Sequence, residues 1–178
     1  MTRTRDDGGT AWRLRVAVPG DAPALTRLHL DVWDDAYRGL MPDALLDSLR
    51  EDVPTRVKRW RGRLGPDQPP TLVAETTAER PGLIGFASAG PARDDLPPAA
   101  LELWSLYARS AWWGTGVGQA LATAVVGDAD AYLWVLEGNE RAASFYRRQG
   151  FAADGASRAD DGYGRDLRMV RVRAPRPG

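Results

Sequence analysis

The sequence Trp-Trp-Gly-Thr-Gly-Val-Gly-Gln-Ala-Leu at residues 112–121 places two tryptophans directly before three glycines at alternate positions. Glycine has no Cβ atom, so the backbone at Gly114, Gly116 and Gly118 can curl until several N–H groups point to one spot. An apolar, helix-like segment follows at 117–126, and its N-terminus adds a partial positive charge. Such a turn is an anion site suited to a pyrophosphate, with simple tightness of the turn as the alternative reason for the glycines.

The segments on both sides of this loop alternate between strand-like and helix-like patterns. Residues 101–108 precede it as a strand, and the continuous apolar run at 131–136 predicts a central strand covered on both faces. Residues 22–38 carry apolar side chains at spacings of three and four, which predicts an amphipathic helix. The other predicted elements are strands at 12–17, 71–76, 83–89 and 167–173 and helices at 42–50, 54–64, 117–126 and 140–149. This order predicts an α/β (α+β) fold, in which a sheet of mixed polarity carries helices on both faces.

Length and composition fit one globular domain with its own core, since the chain has 178 residues and 43% of them are hydrophobic. The formal net charge is zero, which provides no overall field for nucleic acid or an anionic membrane. No apolar run approaches the roughly 20 residues that span a bilayer, and residues 1–7 lack the apolar core of a signal peptide. We therefore expect a cytoplasmic protein with no nucleic-acid or membrane partner.

The residue types that the chain lacks limit its chemistry. It has no cysteine, which excludes disulfides, thiolate metal sites and acyl-cysteine intermediates, and His29 is its only histidine. His29 lies between Leu28 and Leu30 in a predicted helix, where we expect a packed or surface residue. We therefore predict no metal site, and catalysis must rely on carboxylates, tyrosines, backbone groups or a bound co-substrate.

Two nucleotide-binding motifs fit the glycine loop poorly. The dinucleotide fingerprint has the spacing Gly-x-Gly-x-x-Gly and an acidic residue about 20 positions later. Here the spacing is Gly-x-Gly-x-Gly, and Asp128 and Asp130 come early, in a predicted loop. A phosphate loop of the Walker type needs Gly-Lys-Ser/Thr, and this loop has no lysine. A nucleotide-binding protein therefore stays an alternative, although a poorly fitting one.

The glycine loop resembles the signature of the GNAT superfamily of N-acetyltransferases, Gln/Arg-x-x-Gly-x-Gly/Ala, which binds the pyrophosphate of acetyl-coenzyme A (acetyl-CoA). Residues 113–118, Trp-Gly-Thr-Gly-Val-Gly, occupy the signature here, with Trp113 in place of Gln or Arg. A second block at 139–151, Asn-Glu-Arg-Ala-Ala-Ser-Phe-Tyr-Arg-Arg-Gln-Gly-Phe, resembles the family pattern N-x-x-A-x-x-F-Y-x-x-x-G-F. Both motifs in this order, with suitable elements between them, indicate an acetyl-CoA-dependent N-acetyltransferase.

The resemblance covers residues 12–173 and implies a GNAT-type fold. Its central sheet is mixed and mostly antiparallel, has six to seven strands and is flanked by helices on both faces. We expect one acetyltransferase domain between a flexible N-terminal tail at 1–11 and a C-terminal tail at 174–178. Many members form dimers, so a homodimer stays open.

The resemblance also implies a set of residues for the co-substrate. The fourth and fifth strands splay apart in the family to admit the pantetheine arm, and backbone N–H groups of the glycine loop carry the phosphates. The side chain of Trp113 is therefore expected to pack the turn, while the loop binds through backbone groups. The residues expected at acetyl-CoA are Leu106, Ala108, Trp113, Gly114, Thr115, Gly116, Val117, Gly118, Asn139 and Tyr146.

Two side chains are candidates for proton transfer. Tyr146 is the candidate acid, because a phenol with a pKa near ~10 stays protonated at neutral pH and can donate to a leaving thiolate. Glu102 is the candidate base, because its place before the glycine loop matches the catalytic glutamate of histone acetyltransferases in this superfamily. A carboxylate there could take a proton from an ammonium through water, whereas a plain charged residue at the start of a strand is the alternative reading. Glu137 is the alternative base, although its place beside Gly138 and Asn139 suggests a loop role.

The acceptor is expected to be a small-molecule or peptide amine. Trp33, Tyr37 and Trp104 are candidate walls of its pocket, although aromatic residues at such positions are also typical of a core. The sequence leaves open a protein of another class, a catalytically weak module that binds or senses acyl-CoA.

Overall fold

The computed structural model describes residues 11–160 and 162–172, apart from the side chain of Asp160, and is built on one seven-stranded sheet. The strands are β1 (Trp12–Val16), β2 (Thr71–Thr76), β3 (Leu83–Pro91), β4 (Leu101–Ala108), β5 (Ala131–Leu136), β6 (Ala152–Asp160) and β7 (Gly164–Arg171). The helices are α1 (Ala22–Tyr37), α2 (Asp43–Ser48), α3 (Val53–Arg63), α4 (Val117–Val126) and α5 (Glu140–Arg148), with short 3-10 turns at Pro19–Asp21 and Ser110–Trp112.

The strand order is β1-β2-β3-β4-β5-β7-β6, and every neighbouring pair is antiparallel except β4 and β5. This arrangement confirms the predicted mixed, mostly antiparallel sheet. The bounds predicted for β4, β5 and α4 agree with the structure. The predicted tails at 1–11 and 174–178 lie outside the described residues, except Ala11.

Strand β6 is the element that the sequence pattern does not locate. Its sequence, Ala-Ala-Asp-Gly-Ala-Ser-Arg-Ala-Asp, has no β-branched or aromatic residue, so its strand propensity is low. It lies at the sheet edge and pairs only with β7, with an irregularity between Ala153 and Ser157. Pairing with a neighbour, rather than local preference, therefore makes this segment a strand.

Alternating side chains on the strands hold helices on opposite faces. Val73 and Phe86 pack in one core cluster with residues of α1 and α3. Ala74 and Ala87, the next residue on each strand, pack in another cluster with residues of α4. Because successive side chains of a strand point to opposite faces, this period of two places α4 across the sheet from α1 and α3.

Strands β4 and β5 separate soon after they meet. They pair in parallel only at Leu101↔Ala131 and Glu102↔Tyr132. On its other side β4 pairs with β3 along its whole length, with a bulge in which Trp104 is the extra residue. A bulge bends a strand and increases its twist. The rest of β4 therefore leaves β5, and an opening forms inside the sheet.

Within the described residues, no helix is both long and apolar enough to cross a bilayer.

Candidate active site

A cavity of about 470 Å³ occupies the opening between β4 and β5. The second half of β4 forms one wall, and β5 and α5 form the other. The glycine loop before α4 closes one end, and residues of α1, including Tyr37, lie along the cavity. The predicted splaying of the fourth and fifth strands is thus present. One elongated site places a sheet edge, a helix N-terminus and a tyrosine cluster side by side.

The glycine loop has the tight backbone that its sequence predicts. Gly114 and Gly116 have φ angles of 79° and 90°, which side chains of L-residues rarely adopt. A Cβ atom on either residue would meet no heavy atom within 4 Å, so backbone conformation rather than crowding requires glycine. Gly116 is the N-cap of α4, and its carbonyl oxygen accepts a hydrogen bond from the Ala120 amide at 2.9 Å. The free N–H groups of the first helical turn therefore face the same end of the cavity.

The loop residues contribute in different ways. Trp113, Gly114, Gly116 and Gly118 line the cavity, whereas the side chain of Val117 is fully buried in the core beneath α4. The hydroxyl of Thr115 donates to the Trp112 carbonyl oxygen at 2.8 Å, which stabilises the turn. The side chains of residues 115 and 117 therefore support the loop, and only their backbone groups stay available to a ligand.

Trp113 is fixed at the end of β4. Its indole Nε1 donates to the Ala108 carbonyl oxygen at 2.8 Å, and the side chain of Arg141 on α5 lies over its ring. The guanidinium carbon is 3.6 Å from the ring centroid, which is a close cation–π contact. Arg141 also lines the cavity. The sequence analysis did not single it out, and its only signal is its position two residues after Asn139 in the second motif.

Tyr146 projects from α5 into the cavity, beside Tyr37 and Tyr107. Burial raises the pKa of Tyr146 above the ordinary phenol value, and the nearby phenol of Tyr37 raises it further. The charge of Arg141 acts in the opposite direction. The hydroxyls of Tyr37 and Tyr107 share a hydrogen bond of 2.9 Å. The Tyr146 phenol therefore stays protonated at neutral pH and is available as a donor.

Asn139 caps the helix that carries Tyr146. Its Oδ1 atom accepts a hydrogen bond from the Ala142 amide at 3.1 Å, and the residue is buried while lining the cavity. This contact makes Asn139 the N-cap of α5. Gly150 and Phe151 end the same helix, with the Phe151 amide bonded to the Tyr146 carbonyl oxygen at 3.0 Å. Both ends of α5 are thus fixed, and so is the position of the Tyr146 side chain.

Glu102 does not line the cavity, although the sequence placed a base there. It lies at the paired start of β4 and is 1% exposed. Its carboxylate accepts hydrogen bonds from the Arg93 guanidinium at 2.9 Å and from the Tyr132 hydroxyl at 3.1 Å. Burial acts to raise the pKa of Glu102, but the hydrogen bonds and charge of Arg93 outweigh it and lower the pKa. This environment is that of a buried ion pair away from the cavity lining, and the role of Glu102 as the base stays a prediction.

The three aromatic residues expected at the acceptor divide between the cavity and the core. Tyr37 and Trp104 line the cavity, and the buried Nε1 of Trp104 has no hydrogen-bond partner among the described residues. Trp33 is not part of the cavity lining and packs edge-on against His29 and Tyr37, at 5.1 and 5.3 Å between ring centroids. Helical periodicity predicts an inward-facing aromatic residue, but it does not separate a cavity wall from a core residue.

Metal ligands are not clustered in the described part of the chain, since no group of three His, Asp or Glu side chains there is placed to hold an ion.

Comparisons with known proteins agree with this architecture. The family model described as "Acetyltransferase (GNAT) family" matches residues 30–151. A protein named "Probable N-acetyltransferase Rv2775" from Mycobacterium tuberculosis is 28% identical over 153 residues, which cover 80% of this chain and 81% of that protein.

Two solved structures share the fold. The PaiA N-acetyltransferase from Thermoplasma acidophilum, solved in complex with coenzyme A, is 21% identical, with a TM-score of 0.68 over 90% of this chain and 98% of that one. A ribosomal-protein-alanine N-acetyltransferase from Brucella melitensis is 25% identical, with a TM-score of 0.64 over 90% of this chain and 99% of that one.

Proposed function

The chain belongs to the GNAT family of acetyltransferases, and from this we propose that it transfers the acetyl group of acetyl-CoA to a primary amine. The amine attacks the thioester directly while both substrates are bound in a ternary complex. The observation that carries the proposal is the cavity between the diverging strands β4 and β5, which ends on the glycine loop. The absence of cysteine from the chain agrees with a route that needs no acyl-cysteine intermediate.

The cavity fits the two parts of a coenzyme A molecule. Beyond Glu102, β4 has no strand partner on the β5 side, so its backbone can bond an extended amide-bearing chain as an added strand would. Leu106 and Ala108 lie on this open segment. The Gly114–Gly118 loop and the α4 N-terminus would hold the phosphates through backbone N–H groups. These features support a pantetheine arm along β4 that ends in a diphosphate at the loop.

Acetyl-CoA supplies the activated acetyl group as a thioester. The amine nitrogen forms a bond to the carbonyl carbon, the carbon–sulfur bond breaks, and the sulfur leaves as a thiolate. Tyr146 gives its proton to that thiolate, and its raised pKa keeps the phenol protonated until then. The charge of Arg141 lowers the pKa of Tyr146, but burial outweighs it and keeps the pKa raised. The proton that the amine loses passes to water, since Glu102 is engaged by Arg93.

The acceptor amine is proposed to enter beside Tyr37 and Trp104. These aromatic walls suit an apolar substituent next to the amine. The Brucella protein is named a ribosomal-protein-alanine N-acetyltransferase. A peptide with an N-terminal alanine therefore belongs in the acceptor panel, together with lysine peptides, polyamines and small aromatic amines.

Thiol release measured across this amine panel tests the proposal. The protein contributes no thiol of its own because it lacks cysteine, so every thiol detected comes from coenzyme A. Calorimetric titration with acetyl-CoA is run in parallel. We expect binding of acetyl-CoA and acetyl transfer to at least one amine. If acetyl-CoA does not bind, the proposal fails, whereas binding with no turnover on any amine would identify a module that only binds acyl-CoA.

Replacing Tyr146 with Phe tests the acid. The substitution keeps the ring that packs against Phe145 and Phe151 and removes only the hydroxyl. We expect kcat to fall about 100-fold or more, with little change in the KM for acetyl-CoA. Tyr163→Phe is the matched control, because this tyrosine packs on Trp33 and does not line the cavity. An unchanged kcat for Tyr146→Phe would show that the proton comes from elsewhere.

A further inference from the structure

Arg141 is a cavity-lining arginine with no acidic partner in the described part of the chain. Three arginines near the site are paired: Arg93 with Glu102, Arg109 with Asp31, and Arg147 with Glu140. Arg148 also lines the cavity, but Arg141 is the one that lies over the ring of Trp113 beside the glycine loop. Asp35 acts on Arg141 only at longer range, and its carboxylate accepts a hydrogen bond from the Ser110 amide. The contact that fixes Arg141 is therefore the ring of Trp113.

The contact with Trp113 orients the guanidinium without using its donors. A cation–π contact engages the face of the guanidinium plane, while the N–H groups lie along its edge and stay available. Trp113 is itself anchored by the bond from Nε1 to the Ala108 carbonyl oxygen, and it is 37% exposed. Arg141 is thus held in place while its N–H groups stay available to donate hydrogen bonds.

Arg141 lies in the cavity that the glycine loop closes, and the loop itself has no positively charged side chain. Residues 112–121 contain no basic side chain, so the loop offers an anion only backbone N–H groups and the helix dipole. Arg141 lines the same cavity as Gly114, Gly116 and Gly118. Burial lowers the pKa of Arg141, which reflects a charge kept partly from water without a counter-ion, and a bound anion would offset that cost.

We propose that Arg141, held against Trp113, binds a phosphate group of acetyl-CoA and supplies the positive charge that the glycine loop lacks. Trp113 is then a positioning residue that acts through Arg141, and not only packing for the turn. This inference rests on the proposed use of acetyl-CoA. The phosphate is either the diphosphate at the loop or the 3′-phosphate of the ribose, since both offer the same chemistry to a guanidinium.

Calorimetry with two ligands tests the role of Arg141. Wild type, Arg141→Ala and the control Arg147→Ala are titrated with acetyl-CoA and with 3′-dephospho-acetyl-CoA. Arg147 is on the same helix but does not line the cavity, so its removal matches the charge change. We expect Arg141→Ala to weaken acetyl-CoA binding about 10- to 100-fold, as for a lost charged hydrogen bond. Arg147→Ala is expected to stay within about twofold of wild type, since no ligand contact is lost.

The second ligand identifies the phosphate. An equal loss for both ligands supports a contact with the diphosphate, and a loss confined to acetyl-CoA supports a contact with the 3′-phosphate. An affinity of Arg141→Ala for both ligands within about twofold of wild type overturns the proposal. Failure of wild type to bind acetyl-CoA would instead reject the proposed function, so the two failures are distinguishable.

A double-mutant cycle tests the positioning role of Trp113. If Trp113 acts through Arg141, then Trp113→Leu weakens acetyl-CoA binding, and the double variant with Arg141→Ala binds no more weakly than Arg141→Ala alone. Trp113→Phe keeps a ring face and should restore part of the affinity. Strictly additive losses, with no rescue by Phe, would overturn the positioning role. Thermal melts of each variant separate loss of binding from loss of folding.

Discussion

Strand β4 has a closed end, Leu101–Glu102, which pairs with β5, and an open end, residues 104–108, which does not. At its start the strand pairs with β5, and Glu102 is enclosed by Arg93 and Tyr132 with almost no access to solvent. From the bulge at Trp104 onward the strand has no partner on that side, and its residues line the cavity as far as Ala108. Only Leu103 separates Glu102, which forms the ion pair, from Trp104, where the unpaired edge begins.

The difference between the two ends shows that strand pairing, not residue type, decides which groups are available for chemistry. The carboxylate of Glu102 is a possible base by residue type. At the paired start of β4, however, Arg93 and Tyr132 donate hydrogen bonds to it, and Arg93 lowers its pKa. From Trp104 onward, the backbone of β4 has no strand partner on the β5 side. Three measurements test this contrast, and the one with the largest expected effect comes first.

The stability of the protein should fall in acid because of His29, which packs beneath the unpaired end of β4. His29 packs against Phe86 and Tyr107 beneath β4, and burial lowers its pKa to about 4, assisted by the charges of Arg56 and Arg63. The folded protein therefore binds fewer protons than the unfolded chain between pH 4 and about 6.5, so stability is full above that range and falls as the pH drops through it. The loss should reach about 2 kcal/mol at pH 5 and approach about 3 kcal/mol near pH 4.

Denaturant unfolding at pH 7, 6 and 5 measures this effect. His29 is the only histidine, so His29→Leu removes the whole histidine contribution and leaves the carboxylates as they are. We expect the free energy of unfolding to fall less steeply with acidification in the variant than in wild type. Equal slopes would mean that His29 titrates normally in the folded state.

Removing the charge of Glu102, at the paired start of β4, should lower the stability of the protein but leave its activity nearly unchanged. Glu102→Gln removes the ion pair with Arg93, whose side chain is 57% exposed and can return to water. We expect the free energy of unfolding to drop by about 2 kcal/mol, and the melting temperature by about 4–8 °C. The kcat/KM of the folded protein should change by less than about threefold. A fall of kcat by two orders of magnitude with unchanged stability would identify Glu102 as the base.

Loss of the N-cap of α5, Asn139, should give the smallest change in stability of the three. Asn139→Ala removes the bond to the Ala142 amide and should cost about 1 kcal/mol of unfolding free energy. Asn139→Asp keeps the capping oxygen but loses the amide donor, so it should retain wild-type stability and bind acetyl-CoA a few-fold more weakly. An Asp variant as unstable as the Ala variant, in chemical denaturation at pH 7, would contradict the capping role.

Much of the fold could be predicted because its elements have strong local signals. The apolar run of β5, the spacing of α1 and the glycines before α4 each specify an element without reference to distant residues. Strand β6 could not be located in this way, because its small and polar residues form a strand only through pairing with β7. The candidate site shows the same division: Gly114, Gly116, Asn139 and Tyr146 are found from motifs, whereas Arg141 is not.

The sequence by itself determined the order of elements, the backbone conformation required at Gly114 and Gly116, and membership of the GNAT family. Those properties are local or carried by short motifs. Only the tertiary structure decided that Glu102 is closed off by Arg93 and that Arg141 meets Trp113 across the cavity. Both outcomes depend on where β4 leaves β5, and residues distant along the chain set that point through strand pairing and packing.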